Sequence, residues 1–589
     1  MKFELLPNEI LFDLFDYLNG VDLLNAFYGL NYHFNFLLYK QYRSYRFIFN
    51  WISKYNFDII CSQHLPFIVD RIIGLSLCDG ENTPGQINLL LSYIPSFSQF
   101  TQLRSLSIFH LHSYNTLMKI VDECHHLNHL IYLNFYFCSY AYHYNPSHFQ
   151  TVVNMIWNLP KLTHCNDDIS IQRWNFLSIP SNISTSLKYL NLYNNQLKWN
   201  QINKLFEHTP HLKYLSLIIS SDTNDNYIPS SSLPTLIDLK ISIYSTLDTS
   251  RIISFLQNTP NLRRFDITLG SILINGHQWE QIICNYLPKL KVFQLKMKHR
   301  FVVNHNIQEQ VNELVNSFRS SFWIDEHKWF IRCITSDNTI HLDSLSKLPN
   351  GYEYKQLDSW QSTYPQDNQQ EYYNNMNRIC SDSFFDPPIP SNISLPNIQN
   401  LYINLPINNQ FWSIVPSLKR LYSLTVSSYT DSFYSQLQFL LDQALHLQRL
   451  TIRQDASLPF QLSLFKLTNI TIHKLHLDYY YHFFNEEKCV TLSHSLLGTK
   501  CQVLYIRVEN LENIIILIKN MINLRALYVK FTDEKTSAYW FVSKNNDKFF
   551  DTTTINKDEA IQWLKDHLPA KCFIERELDL EDSIQIWIK

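Results

Sequence analysis

The chain has 589 residues, with 49 Lys and Arg against 52 Asp and Glu, and a formal net charge of −3. Hydrophobic residues make up 45% of the sequence, which excludes general disorder, and the balance of charge argues against a basic nucleic-acid binder. Nine glycines leave little material for phosphate-binding loops, and the length favours several domains or a repeat array over one compact core.

Cysteine usage and the first residues are typical of a protein from a reducing compartment. The 11 cysteines include no Cys-x-x-Cys pair, so zinc ribbons and thioredoxin-like chemistry are not expected. Glu4, Pro7 and Glu9 interrupt any signal-peptide core, and no apolar run reaches the roughly 20 residues that span a bilayer. We therefore expect a cytoplasmic or nuclear protein without a membrane segment.

Residues 1–48 predict three short helices. One helical stripe is formed by five apolar residues, Ile10, Leu11, Leu14, Phe15 and Leu18. Asn19 and Gly20 supply a helix stop, Asp22 is placed to cap a second helix, and Asn31 is placed to cap a third. Three helices of this size bury too little apolar surface by themselves, so they need something to pack on.

This segment resembles an F-box. The matching residues follow the order Leu-Pro-x-Glu-Ile-Leu, Tyr-Leu and Asp-Leu, and are Leu6, Pro7, Glu9, Ile10, Leu11, Phe15, Leu18, Asp22 and Leu23. The chain departs from the family at residues 32–34, where many members carry a tryptophan. The resemblance implies that a Skp-type adaptor of a cullin–RING ubiquitin ligase binds Leu6, Pro7, Glu9, Ile10, Leu11, Leu14, Phe15, Leu18, Leu23 and Leu24. The alternative is that residues 1–48 only cap the structure that follows.

A repeated pattern then fills most of the chain. The string Leu-x-x-Leu-x-Leu, with other apolar residues allowed, recurs at steps of 23 to 32 residues within two blocks. Its first positions are Ile72, Leu103, Leu130, Leu162, Leu187, Leu212, Leu236, Leu262 and Leu290, and then Ile398, Leu421, Leu447, Ile472, Cys501 and Leu524. Residues with helical spacing precede many copies and a proline often ends them, so each unit predicts a helix, a stop and a short strand.

These units resemble leucine-rich repeats. Residues 187–197, LKYLNLYNNQL, fit the family's string completely, with Asn195 in the asparagine position, while most other copies lack this residue. The resemblance implies an α/β fold in which residues 49–300 and 395–530 form a curved solenoid with parallel strands on its concave face. A doubly wound α/β domain is the alternative, because it also alternates strands and helices.

Two segments lie outside the regular period. Residues 301–394 are predicted to be an irregular insertion, with a strand pair or aberrant repeat at its start and a long, polar loop over 351–392. Residues 531–589 are predicted to form a closing cap, with a helix over 557–567 and strands over 572–574 and 583–588.

The concave strand face is the predicted site for a protein substrate. Residues that flank the second and third apolar positions of a strand point away from the core. The candidates are Tyr132, Tyr136, Tyr189, Tyr193, Tyr214, Arg264, Tyr402, Arg449, Arg453, Tyr505, Arg507 and Tyr528. Tyrosine and arginine dominate the energetics of protein interfaces, although tyrosine also favours strands for its own sake.

Residues typical of catalysis form no recognised motif. Glu123, Cys124, His125, His126 and His129 look like metal ligands, but polar residues beside a strand account for them. We therefore expect no catalytic residue, metal, cofactor, nucleic acid or membrane partner.

The predicted function is a non-catalytic substrate-recognition subunit of a cullin–RING (SCF-type) ubiquitin ligase. The alternative is a stand-alone repeat scaffold unconnected to ubiquitin.

Overall fold

The structure is a computed structural model of the chain. It describes residues 6–140, 146–171, 180–220, 233–244, 249–301, 306–336, 338–345, 358–380, 382–385, 393–454, 459–479, 482–531, 557–577 and 583–588. Only the backbone is described at residues 139–140, 146–149, 170–171, 193–195, 382–383, 531, 557–558 and 576–577. The candidate residue Tyr193 is one of these, so its side chain lies outside the described part.

The strands of the described residues form two sheets. The first sheet contains β1 (Tyr45–Ile48), β2 (Ile72–Cys78), β3 (Ser105–Phe109), β4 (Tyr132–Tyr140), β5 (His164–Ile171), β6 (Tyr189–Leu197), β7 (Tyr214–Ile219), β8 (Asp238–Ile243), β9 (Arg264–Leu269), β10 (Val292–Arg300), β11 (Ile331–Ser336), β12 (Thr339–Ser344) and β13 (Ser359–Ser362). The second sheet contains β14 (Arg378–Ile379), β15 (Asn400–Asn404), β16 (Ser423–Ser427), β17 (Arg449–Ile452), β18 (Lys474–His476), β19 (Val503–Val508), β20 (Ala526–Phe531), β21 (Phe573–Glu577) and β22 (Ser583–Trp587).

Helices connect the strands. In the first half they are α1 (Asn8–Asp16), α2 (Gly20–Phe27), α3 (Tyr32–Phe36), α4 (Lys54–Ile59), α5 (Leu65–Ile68), α6 (Gln86–Tyr93), α7 (Tyr114–Cys124), α8 (Pro146–Trp157), α9 (Trp199–His208), α10 (Thr249–Gln257), α11 (Gly276–Tyr286) and α12 (Ile307–Ser317). In the second half they are α13 (Gln369–Asn374), α14 (Phe411–Ile414), α15 (Tyr434–Gln443), α16 (Glu486–His494), α17 (Leu496–Lys500), α18 (Glu512–Asn520) and α19 (Lys557–His567).

Strand order follows chain order in both sheets. β1 to β10 pair in parallel one after another, as do β14 to β20, and each series is closed by antiparallel strands. Equivalent apolar residues of successive units meet, as when Leu106 pairs with Leu133. The α/β class with mainly parallel strands is therefore confirmed. A doubly wound domain reverses its strand order at a switch point, and no reversal occurs within these two series.

Asparagine side chains link successive units just before their strands. The Asn261 amide donates a hydrogen bond to the carbonyl oxygen of Pro234 at 2.8 Å. The Asn523 amide does the same to the carbonyl oxygen of Thr499 at 2.6 Å. Such bonds satisfy backbone acceptors that the turn leaves outside the strand ladder, so the polar residue before the first leucine has a structural role.

Each sheet has its own hydrophobic core between its strands and its helices. The strand leucines Leu106 and Leu450 are fully buried, and so are Leu205 and Leu441 on the helices. Burial of each such side chain contributes about 1.5–3 kcal/mol to folding. The helical spacing in the sequence therefore identified the buried faces correctly.

The N-terminal helices pack directly on the first strands. α2 begins at Gly20, two residues before the predicted cap Asp22. The predicted cap Asp22 is therefore wrong. A Cβ at Gly20 would lie 2.7 Å from the Phe47 ring, so the absence of a side chain allows this close approach. Asn31 does cap α3, because its side-chain oxygen accepts a hydrogen bond from the Phe34 amide at 3.0 Å.

The irregular insertion is more ordered than the sequence suggests. The predicted strand pair exists as β11 and β12. The predicted loop over 351–392 is wrong for residues 358–380, which contain β13, α13 and β14. Arg332 on β11 explains this order, because its Nε donates to the Asp367 carboxylate at 2.9 Å and its guanidinium lies 4.5 Å from the centre of the Trp360 ring.

The two ends of the described chain contact each other. The predicted C-terminal helix and strand pair are confirmed as α19, β21 and β22. Trp587 on β22 is fully buried in the core of the first sheet, and its ring lies 5.4 Å from that of Phe57. The Asn88 amide also donates a hydrogen bond to the Glu575 carboxylate. The last strands of the second sheet are therefore attached to the beginning of the first.

Candidate binding surfaces

The ten predicted adaptor-binding residues divide between the core and the surface of the helical bundle. Four of them are buried, namely Leu11, Phe15, Leu23 and Leu24. The Phe15 ring lies 5.0 Å from Phe27 and 5.6 Å from Tyr42, within the bundle core. These four residues hold the bundle together and are not accessible to a partner, which corrects their assignment as contact residues.

The other predicted adaptor residues are accessible. Pro7, Glu9, Ile10 and Leu14 are exposed, and Leu6 and Leu18 are half-buried. Ile10 and Leu14 are 45% and 37% exposed and lie one turn apart on the same face of α1. Further exposed apolar residues of the same segment are Tyr17, Tyr28, Leu30, Tyr32 and Phe36. Such a concentration of exposed apolar side chains is typical of an interaction surface.

An aromatic row crosses the first sheet. Tyr132, His164, Tyr189 and Tyr214 occupy matching positions on β4 to β7. The rings of His164 and Tyr189 stack at 4.2 Å with an interplanar angle of 7°, and Tyr189 and Tyr214 are 6.2 Å apart. The structure therefore brings three predicted tyrosines together. His164 was missed because its unit has a degraded repeat string.

Two other predicted residues of the first sheet lie outside this row. Tyr136 is 43% exposed in the middle of β4, and its ring contacts that of Phe109 at 5.7 Å. Arg264 on β9 is half-buried beside Asp238, whose pKa is raised by burial against the attraction of Arg264. The positive charge of Arg264 is therefore balanced by the neighbouring carboxylate of Asp238 in the same sheet.

A second aromatic row crosses the second sheet. His476, Tyr505 and Tyr528 occupy matching positions on β18 to β20, and both ring pairs stack at 4.1 Å. Tyr528 is only 7% exposed, and its hydroxyl donates a hydrogen bond to the carbonyl oxygen of Gly80 at 3.3 Å. Burial also raises the pKa of Tyr505 well above its ordinary value. This row is covered by the segment after β2.

Arginines and further tyrosines flank this row. The Arg453 guanidinium lies 5.2 Å from the centre of the Tyr402 ring and 4.7 Å from that of Tyr479. Arg507 donates from Nε to the backbone oxygen of Asp478 at 2.6 Å. These contacts fix the planar guanidinium groups on the strand face, a geometry suited to binding carboxylates.

Glu81 occupies the centre of the second strand face. Its carboxylate forms salt bridges with Arg449 and with Lys474, the latter at 2.9 Å, and lies 3.9 Å from His476 Nε2. Burial alone would raise the pKa of Glu81, but attraction from Lys474 and Arg449 outweighs it and lowers that pKa. A loop of the first half of the chain thus supplies the counter-ion for the second sheet.

Cavities lie on both sides of this carboxylate. A cavity of about 760 Å³ is lined by Glu81, the aromatic residues Trp51 and Tyr528, and cations that include Lys474. A second cavity of about 480 Å³ is lined by Glu81, Arg378, Arg449, Arg453 and Tyr402, among others. The size of the larger cavity is within the range of ligand-binding sites, and mixed polar and aromatic linings are typical of such sites.

The sequence did not identify several residues of this site. Lys474 and His476 alternate with the leucines of β18, and the strand rule used for the tyrosines would have found them. Glu81 carries no local signal, because its partners lie more than 360 positions away along the chain. Only the contact between the two halves of the chain reveals it.

The residues that resembled metal ligands have structural roles. Glu123 accepts hydrogen bonds from the Ser96 hydroxyl at 2.9 Å and from the Phe97 amide at 2.7 Å. No group of three or more His, Cys, Asp or Glu residues within the described chain is arranged to hold a metal ion. Burial raises the pKa values of Cys124 and Cys138 to about 12, so both remain thiols at neutral pH.

Comparison with known proteins gives this chain no family. No protein-family model and no curated protein matches it. Among the described residues, no helix combines the length and the apolar character needed to cross a membrane.

Proposed function

We propose that this protein is a non-catalytic substrate-recognition subunit of a cullin–RING ubiquitin ligase. An F-box-like bundle over residues 1–48 binds the Skp-type adaptor, and a leucine-rich-repeat solenoid binds a protein substrate on its strand face. Such a subunit accelerates ubiquitin transfer by proximity, because it raises the effective concentration of substrate near the charged enzyme.

The exposed apolar surface of α1 is the observation that carries this proposal. Ile10 and Leu14 project from a helix whose adjacent face, with Leu11 and Phe15, is fully buried. A surface leucine and isoleucine one turn apart are suited to a groove on a partner. They lie in the segment whose sequence resembles the adaptor-binding helix of an F-box.

The strand order supports the repeat part of the proposal. Successive units add one parallel strand each, in chain order, with equivalent leucines in register. Repeat proteins that stack in this way present an extended face of exposed strand residues to their partners. The first aromatic row lies on these strands with Tyr189 40% exposed, and aromatic side chains are common anchors of protein interfaces.

The alternative function is a stand-alone repeat scaffold in which residues 1–48 serve as a cap. One observation favours it: the Gly20 backbone fits against Phe47 of the first strand, so the bundle and the sheet share a core. A cap requires this contact. An adaptor-binding module requires, in addition, that the exposed side of α1 bind a partner.

Surface substitutions on α1 separate the two functions. We expect Ile10→Asp with Leu14→Asp to abolish binding of the purified Skp-type adaptor, measured by calorimetry with the full chain, at an unchanged melting temperature. A deletion of residues 1–48 is unsuitable because it removes buried core residues such as Phe15 and Phe47.

The control is a charge placed on another exposed apolar residue. Ile470 is 68% exposed in the second half of the chain, and Ile470→Asp is expected to leave adaptor binding unchanged. Absence of adaptor binding by the folded wild-type chain would contradict the proposal and leave the scaffold function. Retained binding by the double variant would place the adaptor elsewhere.

A further inference from the structure

The strand face of the second sheet carries a band of positive charge. Arg449 and Lys474 are neighbours in register at one level of the sheet. Arg507 and Lys530 are neighbours at another level, and Arg378 stands at the far edge on β14. Six strand spacings separate β14 from β20, so the band extends over about 29 Å.

Glu81 is a carboxylate already held by this band. Its carboxylate comes from the other half of the chain and is held by two cations, of which Arg449 keeps 31% of its side chain exposed. Arg449 Nε is buried and has no hydrogen-bond partner within the described part of the chain. The positions around Glu81 therefore retain capacity for a further acceptor.

The space beside Glu81 is too long for one small molecule. The two cavities both include Glu81 in their lining and lie on its two sides, toward Arg378 and Arg453 in one direction and toward Trp51 and Lys530 in the other. An extended peptide of about nine residues covers 29 Å at about 3.3 Å per residue. The length of the band therefore favours a chain over a compact ligand.

We propose that this face binds an extended acidic segment of a partner protein, and that Glu81 occupies its central carboxylate subsite in the free protein. The inference rests on the proposed function, for which it names the class of substrate. Arg378 and Arg453, which line the cavity on one side of Glu81, bind the segment there. Displacement of Glu81 then frees Arg449 and Lys474 for an acidic side chain of the partner.

The test uses the full chain and a fluorescein-labelled decapeptide of alternating glutamate and serine. We expect binding by fluorescence anisotropy at low salt, and at least tenfold weaker binding of the decapeptide in which glutamine replaces glutamate. The double variant Arg378→Gln with Arg453→Gln should weaken binding of the acidic peptide at least fivefold. Neither residue forms a salt bridge with Glu81, so the resting contact is preserved.

A matched control removes two positive charges elsewhere in the same half of the chain. Lys419 and Arg420 are exposed on the turn before β16, and Lys419→Gln with Arg420→Gln should leave peptide binding within twofold of wild type. Glu81→Gln should strengthen peptide binding several-fold, because it removes the charge that competes for Arg449 and Lys474. Thermal melting of each variant checks that it is folded.

Each other outcome overturns the proposal. Equal binding of the glutamine peptide, or equal losses in both double variants, would show non-specific association. Unchanged or weaker binding by Glu81→Gln would show that Glu81 does not occupy the subsite. A ten-residue thymidine oligonucleotide that binds more tightly than the peptide would assign the face to nucleic acid. Because adaptor binding is measured separately on α1, a failure here leaves the proposed function standing.

Discussion

The two sheets are built from the same repeat and yet differ in what their strand faces offer. Both carry an aromatic row, with Tyr189 exposed to 40% in the first and Tyr528 to only 7% in the second. Tyr189 of the first row is accessible within the described part of the chain, while Tyr528 of the second lies under the loop that contains Gly80 and Glu81. A repeat therefore determines the spacing of side chains on a face, and a contact from outside the repeat determines which of them remain accessible.

Each sheet also contains a buried titratable group with a large pKa shift, an acid in the first sheet and a base in the second. Asp167 on β5 is buried in the first sheet, and this burial raises its pKa to about 7. His476 on β18 is buried in the second sheet, and burial lowers its pKa to about 4, although Glu81 opposes that shift. The same cause, loss of hydration, thus favours the neutral form of both groups and gives their folding opposite responses to pH.

The largest expected effect comes from separating the two halves at Trp587. Trp587 is on β22, a strand of the second sheet, but its fully buried ring packs in the hydrophobic core of the first sheet. Trp587→Ala removes this ring. We expect a loss of about 3–5 kcal/mol in the free energy of unfolding. The two halves should then unfold in separate steps in denaturant, followed by fluorescence and circular dichroism.

Trp412→Ala is the control for this substitution, since Trp412 is 38% exposed and is expected to cost much less. One shared transition in Trp587→Ala, at the midpoint of the wild type, would show that the two sheets do not depend on this contact.

A smaller effect is expected at the other junction between the sheets. Asp367→Asn leaves the buried Arg332 guanidinium without its counter-ion, while stacking on Trp360 remains. We expect a loss of about 2–4 kcal/mol, measured by chemical denaturation. Asp70→Asn, which removes the 54% exposed carboxylate partner of Arg71, should change the stability by less than about 1 kcal/mol. Equal effects of the two variants would contradict this difference in burial.

The contact between the chain ends is tested by a pair of glycines. Gly85 has a φ of +68°, and its Cβ would lie 2.2 Å from a Glu575 carboxylate oxygen and 2.4 Å from the Phe573 ring. Gly29 has a φ of +80° and no heavy atom within 4 Å of its Cβ. We expect Gly29→Ala to show backbone strain alone, and Gly85→Ala to lose about 1–3 kcal/mol in total. Equal losses in thermal melts would mean that the chain ends are not in contact there.

The smallest effect is the opposite pH response of the two buried groups. Between pH 4 and pH 6.5 the unfolded state protonates His476 and the folded state does not, so this group lowers the free energy of unfolding as the pH falls. Between about pH 4 and pH 7 the folded state retains the proton on Asp167, so this group lowers it as the pH rises. Each shift corresponds to about 3–4 kcal/mol over its full window, and because the two contributions oppose each other, their net effect on the stability of the wild type is small.

Two variants resolve these contributions. His476→Gln should be less sensitive to acid than the wild type, and Asp167→Asn less sensitive to a rise from pH 4 to pH 7, in denaturant titrations at each pH. A pH profile that neither substitution changes would mean that both groups titrate normally.

Local patterns in the sequence anticipated most of the elements. Leucine spacing placed the strands, helical spacing placed buried residues such as Leu205 and Leu441, and α19 begins and ends at the predicted positions. The pattern failed at the start of α2, which begins at Gly20, two residues before Asp22, and has no side-chain cap. It failed again over residues 358–380, where the buried pair of Arg332 and Asp367 orders a polar segment.

The sequence by itself determined the repeating unit, because the period of apolar residues specifies which side chains each strand and helix must bury. It also placed Tyr189, Tyr505 and Tyr528 on strand faces. Only the tertiary structure decided that Tyr528 is covered, that Leu11 is core while Ile10 is surface, and that Glu81 meets Lys474. These outcomes depend on contacts between distant parts of the chain, and a local period carries no information about such contacts.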